Sequence, residues 1–305
     1  MNAEKVMTGR AQRTILVTGV NGQVGFELRR SLQGLGRIVA LDRTALDLAD
    51  PASIRACLQS LKPDVIVNPA AYTAVDQAES DGAAARAINV HAPAVLAEEA
   101  KRLDALLVHY STDYVFDGAG THAFREDDAT DPQNAYGATK LEGEQAIAAS
   151  GASHLVFRTS WVYGLRGRNF LLTMLKLARE RDELRVVADQ VGAPTWSATI
   201  ATLTASVIAQ GVANEAGLAD WAREKSGIYH LTSGGSTSWA GFAEAIFADA
   251  QLERAPRVIP IPSSEYPTPA RRPLNSRLDG AKLARVFGLV APDWREALAL
   301  CLASR

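Results

Sequence analysis

The chain has 305 residues, of which 47% are hydrophobic and 22% are charged, and its formal net charge is −2. These values are typical of a soluble globular protein with one large or two modest domains, and they exclude the strongly basic surface that nucleic-acid or anionic-membrane partners require. The only two cysteines, Cys57 and Cys301, lie far apart, which indicates a reducing compartment rather than a disulfide framework.

The chain begins with a polar stretch, MNAEKVMTGRAQR (1–13), which lacks the apolar core of a signal peptide. We expect it to form a disordered leader. No run approaches the roughly 18 apolar residues of a membrane span, so a cytoplasmic protein is expected. The five histidines are scattered and form no H-E-x-x-H pattern, so the sequence predicts no metal site.

Short apolar runs alternate with helical patterns through the first half of the chain. The runs rich in Val, Ile and Leu are predicted strands, at 13–19, 37–42, 63–70, 105–116 and 154–164. Amphipathic segments between them are predicted helices. Such alternation is typical of a parallel sheet covered on both faces, that is, a Rossmann-like doubly wound α/β fold. Ligands of such folds bind at the carboxyl ends of the strands.

The rhythm becomes less regular in the second half. Helices are predicted at 169–184 and 197–210, strands at 185–190 and 227–233, and two short helices near 280–288 and 293–303. We therefore expect a dinucleotide-binding domain over 14–165 and a smaller mixed α/β substrate lobe over 166–305. Some segments within about 190–235 are expected to rejoin the first domain.

A glycine pattern follows the first predicted strand. Gly19, Gly22 and Gly25 have the spacing that lets a backbone turn approach a pyrophosphate and a helix pack closely on a sheet. The amino end of the next helix would bind the phosphates. Alone this pattern is weak, and a purely structural turn is the alternative. An acidic residue at the end of the second strand, Asp42, strengthens the case for a dinucleotide.

Two neighbouring residues predict opposite cofactor preferences. The carboxylate of Asp42 would accept a hydrogen bond from the ribose 2′-hydroxyl of NADH, whereas Arg43 would pair with the 2′-phosphate of NADPH. We therefore expect the protein to use either cofactor.

Tyr136 precedes Lys140 by four residues, so both lie on one helix face. A lysine charge about 4 Å away would bring a phenol with a pKa of about 10 towards neutrality, which suits a general acid. An exposed tyrosine above an unrelated lysine is the alternative. Ser111 and Thr112, at the expected carboxyl end of a strand, offer hydroxyls that could hold a substrate carbonyl, or merely cap the strand.

These motifs resemble the extended short-chain dehydrogenase/reductase superfamily and, within it, the dTDP-4-dehydrorhamnose reductase branch. The resemblance runs from about residue 13 to the end and rests on seven stretches, at 19–25, 64–80, 110–118, 136–144, 158–164, 189–195 and 266–279. It implies a catalytic threonine–tyrosine–lysine triad at Thr112, Tyr136 and Lys140.

The resemblance also implies binding residues. The implied cofactor contacts, in addition to Gly19, Gly25 and Arg43, are Gly22, Gln23, Val24, Asp42, Asp47, Leu48, Ala71, Tyr72, Thr73, Tyr110, Tyr136 and Lys140. The implied substrate contacts are Thr112, Asp113 and Trp161, with a core position as the less favoured alternative for Trp161. By their charge and position, Arg271 and Arg272 are candidate partners of a substrate diphosphate, or simply part of a solvated loop.

The resemblance implies reduction by NADPH or NADH of the C4 keto group of dTDP-4-dehydro-L-rhamnose. Two alternatives remain: another nucleotide-sugar epimerase, dehydratase or reductase of the superfamily, and a non-catalytic NADP-binding regulatory subunit. Some relatives form magnesium-linked dimers, but no local motif carries that property here. A role for magnesium is therefore left open, with no local motif to support it. The protein is expected to be a monomer or a homodimer.

Overall fold

The computed structural model describes residues 12–305, so the leader expected at 1–13 lies almost entirely outside the described residues. The strands are β1 (Thr14–Val17), β2 (Arg37–Ala40), β3 (Val65–Asn68), β4 (Leu106–Thr112), β5 (His154–Thr159), β6 (Val162–Tyr163), β7 (Glu183–Val187), β8 (Val191–Gly192), β9 (Thr195–Trp196), β10 (Gly227–His230), β11 (Thr237–Ser238), β12 (Arg257–Ile261) and β13 (Asn275–Ser276).

The α-helices follow the same chain order. They are α1 (Gln23–Ser31), α2 (Pro51–Leu61), α3 (Val75–Ala78), α4 (Gly82–Arg86), α5 (Ala92–Leu103), α6 (Ala135–Ser150), α7 (Phe170–Leu177), α8 (Ser197–Ala213), α9 (Leu218–Lys225), α10 (Trp239–Asp249), α11 (Ala281–Phe287) and α12 (Trp294–Ala303).

A six-stranded parallel sheet organises the molecule, with the strand order β10-β5-β4-β3-β1-β2. Every residue of β1, β3 and β4 is buried, because helices cover both faces of the sheet. Side chains of α1, α8, α9 and α11 pack on one face, and those of α2, α5 and α6 on the other. The predicted doubly wound α/β fold is confirmed.

A second apolar cluster is built by the later part of the chain. It joins residues of α7, α10 and α12 to the buried residues of β7. The remaining strands form small sheets, ordered β11-β8-β13, β12-β7 and β6-β9. Within residues 12–305 no helix combines the length and the apolar character needed to span a bilayer.

Local sequence signals explain where α6 begins and ends. The side chain of Asn134 accepts a hydrogen bond from Gly137 N at 2.8 Å, which caps the amino end of α6, and Gly151, with φ of +69°, ends the helix in the left-handed conformation. The helical segment predicted between the strands at 63–70 and 105–116 instead contains a π-helical turn (Ala87–His91) between α4 and α5. This turn precedes Pro93, whose missing N–H cannot support a regular hydrogen-bond ladder.

Candidate active site

The glycine turn between β1 and α1 has backbone that only glycine fits well. Gly19 adopts φ of +55°, and a Cβ there would lie 2.9 Å from the backbone of Ala70. A Cβ at Gly25 would lie 2.3 Å from the Gly19 carbonyl oxygen. Gly22 precedes α1 and provides no side-chain cap, so the first amides of the helix remain free for an anion.

Gln23 and Val24 open α1. The Gln23 Oε1 accepts a hydrogen bond from Asn169 Nδ2 at 2.8 Å, which ties the glycine turn to the loop before α7. Val24 is half-buried and packs against the core of the sheet. Asn169 was not predicted from the sequence, because its partner lies 146 residues away.

Asp42 lies just after β2 and accepts hydrogen bonds from the Thr44 hydroxyl, at 2.7 Å, and from the Ala45 amide, at 3.2 Å. The hydrogen bond from Thr44 is the largest cause of its lowered pKa. Its second carboxylate oxygen, 3.5 Å from Asn21 Nδ2, is the more available one. Arg43 is exposed beside it, so both predicted cofactor-selecting groups are accessible.

The other residues predicted to line the cofactor site differ in accessibility. Asp47 is exposed, whereas Leu48 is buried. In the loop after β3, Ala71 and Tyr72 are half-buried and Thr73 is exposed.

A buried asparagine that was not predicted from the sequence holds this loop. Asn89, within the π-helical turn, accepts a hydrogen bond from Tyr72 N at 2.9 Å and donates to Tyr72 O at 3.1 Å. Its amide also donates to Thr139 Oγ1 at 3.1 Å, which links the loop to α6. No local motif marks Asn89, since its partners lie 17 and 50 residues away.

Hydroxyl and carboxyl groups gather where β4 ends. Thr112 Oγ1 donates to Asp113 Oδ1 at 3.1 Å and accepts from Tyr114 N at 3.2 Å. Burial raises the pKa of Asp113 to about 6. Ser111 Oγ is also buried and has no hydrogen-bond partner among the described residues.

Tyr136 lies in the first turn of α6, beside this strand end. Its ring meets Tyr114 edge to face, with centroids 5.6 Å apart. Burial raises the pKa of Tyr136 to about 12, while the hydroxyl of Thr112 acts in the opposite direction. The phenol is therefore fully protonated at neutral pH.

Lys140 lies one turn further along α6 and is 1% exposed. Its ammonium donates to the Tyr110 carbonyl oxygen at 2.7 Å and lies 3.1 Å from His109 Nε2. Burial lowers its pKa to about 8. The expectation that Lys140 lowers the pKa of Tyr136 differs from the structure, in which the ammonium is bound to β4 and burial of the phenol has the larger effect.

Tyr110 contributes to this site through its backbone. Its ring belongs to the apolar core on the α8 face of the sheet, and its hydroxyl is 2.8 Å from Thr204 Oγ1. Its carbonyl oxygen is the group that holds Lys140.

The other predicted substrate residues lie in two loops. Trp161 is half-buried and stacks on Trp239. Arg272 pairs with both carboxylate oxygens of Asp76, at 3.0 and 2.7 Å. Arg271 is exposed and donates to Gln133 Oε1 at 2.9 Å. Its loop lies near Tyr136, because Asn134 Nδ2 donates to the Arg271 carbonyl oxygen at 2.8 Å.

Among residues 12–305 there is no group of three or more His, Cys, Asp or Glu side chains that could hold a metal ion. Cys57 and Cys301 are both free thiols.

A doubly wound sheet with a tyrosine and a lysine on the helix beside its fourth strand defines the class of extended short-chain dehydrogenases and reductases. Within that class, residues 13–305 match the RmlD substrate binding domain family. The chain is 54% identical to dTDP-4-dehydrorhamnose reductase of Burkholderia thailandensis, covering 94% of this chain and 97% of that protein. It is 45% identical to the enzyme of the same name from Shigella flexneri, covering 92% and 94% of the two chains.

The structure is also similar to a solved relative. The crystal structure of dTDP-4-dehydrorhamnose reductase from Bacillus anthracis in complex with NADP superposes with a TM-score of 0.88 at 33% identity, covering 97% of this chain and all of that one. This chain belongs to the dTDP-4-dehydrorhamnose reductase family, and the resemblance seen in the sequence is confirmed.

Proposed function

We propose that this protein reduces the C4 keto group of dTDP-4-dehydro-L-rhamnose to give dTDP-L-rhamnose, with NADPH or NADH as the reductant. The names of its close relatives support this reaction. The single observation that carries it in this chain is the position of Tyr136, whose phenol lies next to the Thr112 hydroxyl at the carboxyl edge of the sheet.

The residues around the glycine turn fit a dinucleotide. A Cβ at Gly19 or Gly25 would fill the space against the neighbouring backbone, and the amino end of α1 carries amides with no side-chain cap. These amides would hold the pyrophosphate. Asp42 and Arg43 would hold the adenosine ribose, and the 71–73 loop would line the same side.

The reduced nicotinamide, when bound, supplies a hydride to C4. As the new C4–H bond forms, the π electrons of the carbonyl move to its oxygen, and Tyr136 donates its phenolic proton to that oxygen. Thr112 donates a hydrogen bond that polarises the carbonyl. Lys140, whose ammonium is bound to β4, would hold the nicotinamide ribose.

Asp113, Trp161, Arg271 and Arg272 would contact the nucleotide sugar, and the division at about residue 165 would separate cofactor and substrate lobes. Free thiols at both cysteines are consistent with a reducing, cytoplasmic location. The same proposal includes a monomer or a homodimer, because all the residues proposed for the site come from one chain.

The two alternatives make different demands on this site. A dehydratase would need an acidic pair beside the catalytic hydroxyl to eliminate water, but Thr112 is followed by one acid, Asp113, and then by Tyr114. A regulatory subunit that only binds NADP has no need of a complete triad, which this chain retains.

The test is oxidation of NADPH or NADH by the purified protein, with the keto-sugar generated in place by its epimerase. Replacement of Tyr136 by phenylalanine should lower kcat by about 10²–10⁴-fold while cofactor binding, followed by nicotinamide fluorescence, is kept. Tyr114→Phe is the matched control, because its ring contacts Tyr136. Cofactor binding without turnover in the unaltered protein would favour a different keto-sugar first, and a regulatory subunit second.

A further inference from the structure

A row of four polar side chains lies on the face of the sheet that α2, α5 and α6 cover, and it ends at Lys140. Thr18 Oγ1 lies 2.6 Å from Asn68 Oδ1, and Asn68 Nδ2 lies 3.1 Å from His109 Nδ1. The opposite ring nitrogen, His109 Nε2, lies 3.1 Å from Lys140 Nζ. Each of the four residues is at most 1% exposed.

The register of the sheet creates this row. Asn68 and His109 are directly paired in the β3–β4 ladder, and Thr18 follows β1 on the other side of β3. Polar groups buried this deeply are costly unless they bond to one another. The row begins at a neutral hydroxyl, that of Thr18, and ends at an ammonium, that of Lys140. Its three other side chains come from adjacent strands, so they are fixed in place and can hold that ammonium.

The protonation of the row follows from its chemistry. Burial and the charge of Lys140 hold the pKa of His109 well below its usual value, so the imidazole is neutral and only one ring nitrogen carries hydrogen. An ammonium can only donate hydrogen bonds, so Nε2, which faces it, must be the ring nitrogen without hydrogen and must accept. Nδ1–H then donates to the amide oxygen of Asn68, whose NH₂ group turns towards Thr18, since an asparagine amide can present either end.

We propose that His109, supported by Asn68 and Thr18, is a positioning residue that holds the Lys140 ammonium in place and keeps it charged during turnover. This rests on the proposed function, because it concerns the lysine of that site. His109 does not contact the reacting atoms in this scheme, and it acts through Lys140.

The other charged groups near Lys140 come from three elements. Glu144 lies on α6 and favours the charged lysine, but it is committed to Arg158 of β5, with contacts of 2.7 and 3.0 Å. Asp113 and Tyr136 are the titratable groups at the end of β4, where the charge of Asp113 acts on the phenol. Among the described residues, Lys140 Nζ has hydrogen-bond partners only in His109 and the Tyr110 carbonyl, so loss of His109 leaves the buried ammonium with one acceptor.

Two conservative variants of His109 distinguish the contact made by Nε2 from the contact made by Nδ1. The amide of a glutamine reaches the position of the imidazole Nε2, whereas that of an asparagine reaches only Nδ1. His109→Gln should retain the alkaline limb of the kcat–pH profile, and His109→Asn should move it to lower pH by about one unit, because a hydrogen bond to the charged group is lost. Equal shifts in both variants, or none in either, would overturn the proposal.

His230→Gln is the matched control. His230 is also fully buried at a strand end of the sheet, and it is not among the hydrogen-bond partners of Lys140. Its substitution should leave the alkaline limb in place, and a shift as large as that of His109→Asn would show that any buried histidine produces the effect.

A measurement without turnover decides the same point if the variants fold poorly. In protein labelled with ¹⁵N-histidine, His109 is the resonance altered by Lys140→Met. We expect a neutral ring with hydrogen on Nδ1, and a change in the Nε2 shift as pH rises through about 8, where Lys140 loses its proton. Hydrogen on Nε2 at pH 7, or a flat response up to pH 9.5, would overturn the proposal. If the unaltered protein lacks turnover, the proposed function fails while this titration still decides the role of His109.

Discussion

The indole of Trp161 stacks face to face on that of Trp239, with ring centroids 3.6 Å apart and planes within 8° of parallel. Trp161 also adopts φ of +48°, a left-handed conformation that costs a non-glycine residue about 1–3 kcal/mol. A Cβ at Gly192 would lie 2.7 Å from the Trp161 indole, so the ring packs closely on that glycine. Trp239 is itself held by a 3.1 Å hydrogen bond from Nε1 to Gln190 Oε1. The strained backbone, the half-buried indole and its stacking partner support the proposed substrate contact of Trp161.

Loss of the stack should therefore weaken substrate binding more than chemistry. We expect Trp239→Leu to raise KM for the nucleotide sugar about tenfold, the effect of losing about 1.4 kcal/mol of binding, while kcat changes less than about threefold. Steady-state kinetics at saturating cofactor measures both. Trp221→Phe, within the α9 core, should leave KM unchanged. A fall in kcat alone in Trp239→Leu would contradict this role for the stack.

Cofactor choice should depend on the two residues after β2. Arg43→Ala should raise KM for NADPH about tenfold with little effect on NADH, because a charge-assisted contact to the 2′-phosphate is lost. Asp42→Ala should impair NADH more. Arg37→Ala, at the opposite end of β2, is the control. A preference of the unaltered protein above about a thousandfold for one cofactor would contradict the expectation that both are usable.

The buried carboxyl of Asp113 should make stability depend on pH. Its pKa of about 6 in the folded protein lies above the ordinary 3.8, so the folded state binds this proton more tightly than the unfolded chain does. Its favourable contribution is complete below about pH 4 and is lost as pH rises through 6, a change of about 3 kcal/mol.

Asp113→Asn removes that titration. Relative to the unaltered protein, the variant should gain up to about 3 kcal/mol in unfolding free energy between pH 4 and pH 7, as measured by urea denaturation. Asp117→Asn, an exposed position in the same segment, should leave the difference flat. A parallel pH dependence in Asp113→Asn and the unaltered protein would refute the assignment.

The adjacent arginines of the 271–272 loop should behave differently. Arg272 is bound by both oxygens of Asp76 and is partly buried, so Arg272→Ala should lower the unfolding free energy by about 1 kcal/mol. Arg271 is exposed, and Arg271→Ala should raise KM for the nucleotide sugar with a stability change within about 0.5 kcal/mol. Unchanged KM in Arg271→Ala would contradict a role for Arg271 in diphosphate binding.

Much of the sheet was predictable because its strands are short runs rich in apolar residues. β1, β2, β3, β4 and β5 all lie within predicted strands, although the predicted runs extend further at their ends. The second half was less predictable. The helix over 239–249 and the two-residue strands around it were missed, since short pairings are stabilised by tertiary contacts rather than by a repeating pattern.

The sequence by itself determined the fold class, the family and the positions of Tyr136, Lys140 and Thr112. Hydrophobic periodicity, a glycine turn and an i, i+4 spacing are local, and local properties can be read from neighbouring letters. Only the tertiary structure decided which groups surround those residues. The partners of Lys140 lie 30 and 31 residues away, and burial, not sequence spacing, sets the pKa of Tyr136. Parallel pairing of distant strands brought His109, Asn68 and Thr18 together, and no local pattern encodes such pairing.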